Sequence, residues 1–222
     1  MPPLAVIFDL DGTLCDTLTD IAAAMNEALG ARGLAGHPRE AYRKLVGDGV
    51  DVLARRALPA GHEGDAGAVA AAFRERYAAR LLLATWPYPG VPEMLAALAA
   101  RGLALAVLSN KPHEATVRLV GAIFPGVPFA AVRGQEPGVP TKPDPTAAHA
   151  LAASLAVAPA RCVLVGDSGV DMQTARAAGM RAVGVLWGYR DRAELVAGGA
   201  ESVVASPAEL AARLVGDGRA GA

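Results

Sequence analysis

The 222-residue chain carries 21 Lys and Arg against 22 Asp and Glu, with no long run of either sign. Such a balance lacks the basic face of a nucleic-acid binder, and aromatics at 5% leave few rings for stacking bases. Hydrophobic residues at 53% supply a sizeable core, yet no charge-free apolar stretch reaches the roughly 18 residues of a membrane span, so no membrane association is expected.

Taken in chain order, the first element is the apolar run Leu4–Phe8, read as a buried strand. Asp9 and Asp11 follow at once and interrupt the run before any signal-peptide cleavage site. From about Thr17 to Leu83 no convincing strand occurs. Leu18, Ile21, Met25 and Leu29 fall at helical spacing behind Asp16 or Thr17 as N-cap, and further helical patterns cover Arg39–Val46, Val50–Ala57 and Asp65–Leu83.

The segment Trp86–Met94 returns the chain to an alternating pattern. Apolar runs at Leu103–Leu108, Phe129–Val132, Cys162–Val165 and Ala182–Leu186 are separated by helical stretches at Val91–Arg101, His113–Ile123, Pro145–Leu155 and Met172–Ala178. A weaker strand is expected near Ser202–Val204, and the tail Gly216–Ala222 is expected to fray. Alternation of this kind predicts an α/β fold, a Rossmann-like parallel sheet with helices on both faces. Residues 1–15 and 84–222 are assigned to that core, and 16–83 to an inserted all-α cap domain.

Polar clusters follow four of the strands: Asp9-Leu10-Asp11-Gly12-Thr13, then Ser109-Asn110, then Thr141-Lys142-Pro143-Asp144, then Gly166-Asp167 leading to Asp171. Ligand sites of open α/β sheets form outside the carboxyl ends of the strands, so these clusters are expected to converge. Their side chains are the kind a Mg²⁺-dependent phosphoryl-transfer site needs. Mg²⁺ prefers hard oxygen ligands and bridges a few carboxylates to phosphate. Asp9 and Asp167 offer two such oxygens, and the Asp11 carbonyl a third. Alternation along a strand points Asp9 and Asp11 the same way, one to ligate and attack, the other beside the bridging oxygen. Lys142 adds a positive point charge, and Ser109 with backbone N–H groups of the next helix can cradle phosphate oxygens.

The stretches "DLDGTL", "LSNK", "KPDP" and "GDSGVDM" resemble the four ordered motifs of the haloacid dehalogenase superfamily, phosphatase branch. The inserted helices resemble its type 1 cap. "VGDGVDVLARRAL" and "YPGVPEMLAALAARG" are most similar to the phosphoglycolate phosphatases within it. The resemblance implies that Asp9 is the nucleophile, forming an aspartyl-phosphate, and that Asp11 is the general acid/base. It also implies that Ser109, Asn110 and Lys142 hold the phosphoryl group and that Asp167 ligates Mg²⁺. Asp171 would act one shell out or through a metal-bound water. A small phosphate monoester is the expected substrate. Sugar phosphomutase, pyrophosphatase and non-catalytic phosphoester binding stand as alternatives, and dehalogenation is disfavoured because Asp11 would have no leaving alkoxide to protonate.

Other residues carry less. Cys15 and Cys162 are too few for a disulfide framework and read as reduced thiols of a cytoplasmic protein. His37, His62, His113 and His149 show no metal-ligand spacing. Gly47-Asp48-Gly49 reads either as amides for substrate or as an inter-helix turn. Arg55 and Arg56 read as solvated cap surface ahead of contacts to an anionic substrate, and Trp187, Gly188 and Tyr189 as core or rim packing ahead of closing the sheet edge near the site.

Overall fold

A computed structural model describes residues 2–216; the last part of the tail expected to fray, 217–222, lies outside them. The first strand, β1 (Ala5–Phe8), is buried along its whole length. It leads through a tight loop, in which the N–H groups of Thr13, Leu14 and Cys15 all donate to Leu10 O, into β2 (Cys15–Asp16). Helices α1 (Leu18–Gly30), α2 (Tyr42–Leu45), α3 (Val50–Ala57) and α4 (Ala66–Arg80) follow. The chain then returns through β3 (Trp86–Pro87), which pairs antiparallel with β2, Cys15 against Pro87 and Asp16 against Trp86. This ribbon ties the two ends of the helical segment together at its root. Two residues per strand are too few for any periodicity to announce it.

The rest alternates: α5 (Val91–Ala100), β4 (Ala104–Pro112), α6 (His113–Ile123), β5 (Phe129–Gln135), α7 (Thr146–Ser154), β6 (Cys162–Gly166), α8 (Gly169–Ala177), β7 (Arg181–Val185), α9 (Arg192–Gly198), β8 (Ser202–Val204) and α10 (Pro207–Gly216). Six strands form one sheet in the order β5-β4-β1-β6-β7-β8, with every pairing parallel. β1 is therefore central, Phe8 standing opposite Val107 on one side and Val165 on the other.

Because successive side chains leave a strand on opposite faces, one sequence run feeds two cores. Val6, Phe8, Val107 and Val165 join α5, α6 and α10 on one face, through Leu95, Leu119 and Leu210. Ala5, Ile7, Ala106 and Leu164 meet Ala148, Met172 and Ala175 of α7 and α8 on the other. Each fully buried Val, Ile, Leu or Phe contributes about 1.5–3 kcal/mol. Small residues on the second face let α7 and α8 sit close to the sheet.

Of the boundaries that differ from the sequence reading, two have clear local reasons. β4 runs on to Pro112, although Ser109, Asn110 and Lys111 end the apolar run; all three are buried. α8 starts at Gly169 rather than near Met172, because Ser168 caps it: the Ser168 hydroxyl accepts from Asp171 N–H while the Asp171 carboxylate accepts from Ser168 N–H.

The helical segment has its own apolar interior, with Met25, Leu29, Tyr42, Leu53, Val69 and Phe73 all buried. Its return is pinned by buried Asp20, whose Oδ2 accepts from Ala84 N–H and Thr85 Oγ1, both at 2.8 Å. Among the described residues no helix is long and apolar enough to cross a membrane.

Candidate active site

β1, β4 and β6 end side by side, so Asp9, Ser109 and Asp167 emerge at one edge of the sheet. They line one cavity with Asp11, Asn110, Lys111 and Lys142, roofed by Ile21, Val46, Leu53, Phe73 and Tyr77 from the helical segment. Counting its mouth, the cavity encloses about 650 Å³ of empty space.

Lys142 is the electrostatic centre. Its buried ammonium donates to Asp9 Oδ1 at 2.8 Å, to Asp171 Oδ1 at 2.6 Å and to Leu108 O at 3.1 Å, which uses all of its hydrogens. Burial pulls its pKa down, but Asp171 and Asp9 outweigh that and hold it above the ordinary lysine value. Asp9 is raised well above the carboxylate range: burial acts most, Lys142 opposes it, and Asp171, Asp167 and Asp11 add to it. Asp167 is raised to about 7 by burial and then by the charge of Asp171, against the pull of the Tyr189 N–H bond.

Asp9, Asp167 and Asp171 each place a carboxylate oxygen within 4.8 Å of the other two. Three buried carboxylates, with no nitrogen or sulfur donor among them, are a donor set for a hard divalent cation. With Arg190 paired to Glu194, the two lysines of the cavity cannot neutralise Asp9, Asp11, Asp167 and Asp171 together, and a divalent ion fits that excess of negative charge.

The Asp11 carboxylate, by contrast, turns away from this cluster. Its Oδ1 accepts from Thr17 Oγ1 at 2.7 Å and lies 3.1 Å from Lys111 Nζ. Asp171, given by the resemblance a place one shell out or on a metal-bound water, has an oxygen within 4.8 Å of those of Asp9 and Asp167 and bonds Lys142 directly.

The side chain of Asn110, a residue expected on the phosphoryl group, spends its polar atoms within the protein. Both Nδ2 hydrogens are taken, by Gly47 O and Lys142 O at 3.0 Å each, and Oδ1 accepts from Lys142 N–H at 2.8 Å. The side chain is a clamp joining β4, the Lys142 loop and the helical segment. Ser109 is buried and lines the cavity, with its Oγ accepting from Lys111 N–H at 3.3 Å.

Several contributors escaped the sequence reading. Tyr189 N–H donates to Asp167 Oδ2 at 2.7 Å, and Tyr189 Oη accepts from Thr17 N–H at 3.1 Å. Trp187 Nε1 donates to Thr13 O at 2.9 Å. The loop after β7, read as rim packing, therefore fixes both Asp167 and the loop after β1. Gly12 (φ +88°) and Gly188 permit this closeness: a Cβ at either would lie 2.3 Å from an atom of Asp167. Gly47-Asp48-Gly49 does form the turn before α3, and it also presents Gly47 O to Asn110. Arg56 pairs with Asp48 at the surface. Lys111 went unassigned although it stands in the quoted "LSNK"; only the fold brings it to Asp11.

Comparison with known proteins agrees with this geometry. Residues 3–179 match the family model of haloacid dehalogenase-like hydrolases. The phosphoglycolate phosphatase of Rhodospirillum rubrum is 38% identical over 195 residues, covering 84% of this chain and 81% of that protein. The enzyme of the same name from Pseudomonas putida is 38% identical over 193 residues, covering 84% and 71%. Among solved structures, a candidate phosphoglycolate phosphatase from Lactobacillus delbrueckii superposes with a TM-score of 0.90 at 31% identity, covering 96% of this chain and 99% of that one. Motifs, fold and relatives together show that the chain belongs to the haloacid dehalogenase-like hydrolases.

Proposed function

We propose that this phosphoric monoester hydrolase releases inorganic phosphate from 2-phosphoglycolate in a Mg²⁺-dependent reaction through an aspartyl-phosphate on Asp9. The observation that carries the reading is the meeting of Asp9, Asp11, Ser109, Lys142 and Asp167 around one cavity at the carboxyl ends of β1, β4 and β6. The names of the relatives support the choice of substrate.

In this reading an Asp9 carboxylate oxygen attacks phosphorus and the bond to the leaving oxygen breaks. Asp11 gives that oxygen its proton, then takes a proton from the water that attacks the aspartyl-phosphate. Lys142 orients Asp9 and offsets the charge of the phosphoryl oxygens, and Ser109 donates to one of them. Asp9, Asp167 and the Asp11 carbonyl would hold Mg²⁺, with Asp171 beside them; when bound, the ion supplies further neutralisation of phosphoryl charge. Asn110 contributes by locking the Lys142 backbone. Residues 16–83 serve as a cap whose apolar wall excludes bulk water from the reacting centre. A cytoplasmic setting suits the two buried free thiols, Cys15 and Cys162.

Phosphate release from a panel of small monoesters, with and without Mg²⁺, tests this. 2-Phosphoglycolate should give the highest kcat/KM, and chelation should abolish turnover. Asp9→Asn should lose at least about a thousandfold in kcat, the scale of removing a nucleophile. Near-normal turnover in that variant excludes the assignment.

A further inference from the structure

Lys111 is a buried cation that the reaction just described does not use. It sits one residue beyond the Asn110 clamp, and its ammonium lies 3.1 Å from Asp11 Oδ1. It also donates to Tyr77 Oη at 2.7 Å and stands 4.3 Å from the centre of the Tyr77 ring. Tyr77 belongs to α4, so this lysine lies where the sheet edge meets the helical roof. An ammonium has three hydrogens. Asp11 and Tyr77 account for two, and no other protein acceptor among the described residues takes the third.

Its surroundings make that hydrogen consequential. Ile21, Val46, Leu53 and Phe73 make the roof of this part of the cavity apolar. Of the other cations lining the cavity, Lys142 has spent its three hydrogens, and Arg190 is held by two contacts, Nη2 donating to Val46 O at 2.8 Å and Nε pairing with Glu194 at 3.2 Å. An anionic group entering beneath the roof beside Asp11 therefore meets an ammonium with a hydrogen to spare.

We propose that Lys111 is the specificity-determining residue for the leaving group: it binds a carboxylate borne on the carbon next to the ester oxygen. The assignment rests on the phosphatase reading above. If Asp11 protonates the leaving oxygen, that oxygen lies against the Asp11 carboxylate, and Lys111 Nζ is 3.1 Å beyond. A carboxylate two bonds from the leaving oxygen falls within reach of the same ammonium, whereas one on a longer chain meets the apolar roof. The site thus selects short α-phosphoryloxy acids over esters of neutral alcohols.

The test compares 2-phosphoglycolate with ethyl phosphate, which puts a methyl where the first has its carboxylate. Steady-state kcat/KM is measured for both esters with the full chain in Mg²⁺, for the parent, K111M and K111R. The parent should favour 2-phosphoglycolate. In K111M the ratio of the two kcat/KM values should fall roughly 30-fold or more, the loss expected when one member of a buried charged pair is truncated. The loss should fall mainly on KM, with glycolate weakened as a competitive inhibitor, and K111R should recover part of the ratio. A folded K111M that keeps the parent ratio within about threefold overturns the assignment, since a residue acting only through Asp11 lowers both esters together. Should K111M fail to fold, K111Q is read by the same ratio. A parent that does not distinguish the two esters overturns the carboxylate subsite while leaving the phosphatase standing; a parent inactive on every monoester overturns the phosphatase reading itself.

Discussion

Asn110→Asp separates a clamp from a phosphate ligand, because the two side chains are nearly isosteric. Oδ1 can still accept from Lys142 N–H, but the two hydrogens that satisfied Gly47 O and Lys142 O are gone, and an oxygen faces each carbonyl instead. The residue is buried at 7% exposure, so water does not replace the lost donors freely. A carbonyl left without its donor costs about 1–3 kcal/mol when buried, as Lys142 O is, and about 1 kcal/mol for the half-buried Gly47 O, giving about 2–4 kcal/mol for the pair before any repulsion between oxygens. With a urea dependence of about 2–3 kcal/mol per molar, the unfolding midpoint should drop by at least about 0.7 M. The assay is urea unfolding followed by circular dichroism, without substrate or metal, so that catalysis plays no part. A midpoint within about 0.3 M of the parent refutes the clamp, because a residue serving only the phosphoryl group contributes little to the stability of the free protein.

Two further outcomes follow from the carboxylate cluster. Gly12→Ala puts a methyl 2.3 Å from Asp167 Oδ2 at a backbone φ of +88°, so either the loop or the carboxylate must move. Mg²⁺ affinity, read by calorimetry, should fall at least about tenfold, the scale of disturbing a metal site's supporting contacts; an unchanged affinity would falsify the close packing. Asp167 is raised from 3.8 to about 7, so the folded protein keeps a proton that the unfolded chain releases above about pH 4. Its contribution to stability is fully present below the unfolded pKa and is lost as pH rises through about 7. Mg²⁺ must displace that proton, so the ion should raise Tm more at pH 8 than at pH 5. Equal gains at the two pH values count against Asp167 as a ligand.

The amino-acid sequence by itself determined whatever is carried by contiguous residues. An apolar run ending in Asp9-Leu10-Asp11-Gly12-Thr13 marks a buried strand opening into polar chemistry, and the alternation of short apolar runs with helical stretches dictates parallel strands covered on both faces. Ser109, Lys142 and Asp167 were legible because each follows such a run at the same end. Tertiary structure alone decided how these groups divide their bonds. Nothing near Asn110 in the chain says that its amide is spent on Gly47 and Lys142, and nothing near Tyr189 says that its N–H holds Asp167. Lys111 looks like any lysine after a strand until α4 lays Tyr77 over it. The physical reason is the same throughout: local sequence sets backbone preference and hydrophobic period, whereas the partners of a buried polar group come from distant segments, and only the packed fold brings them within 3 Å.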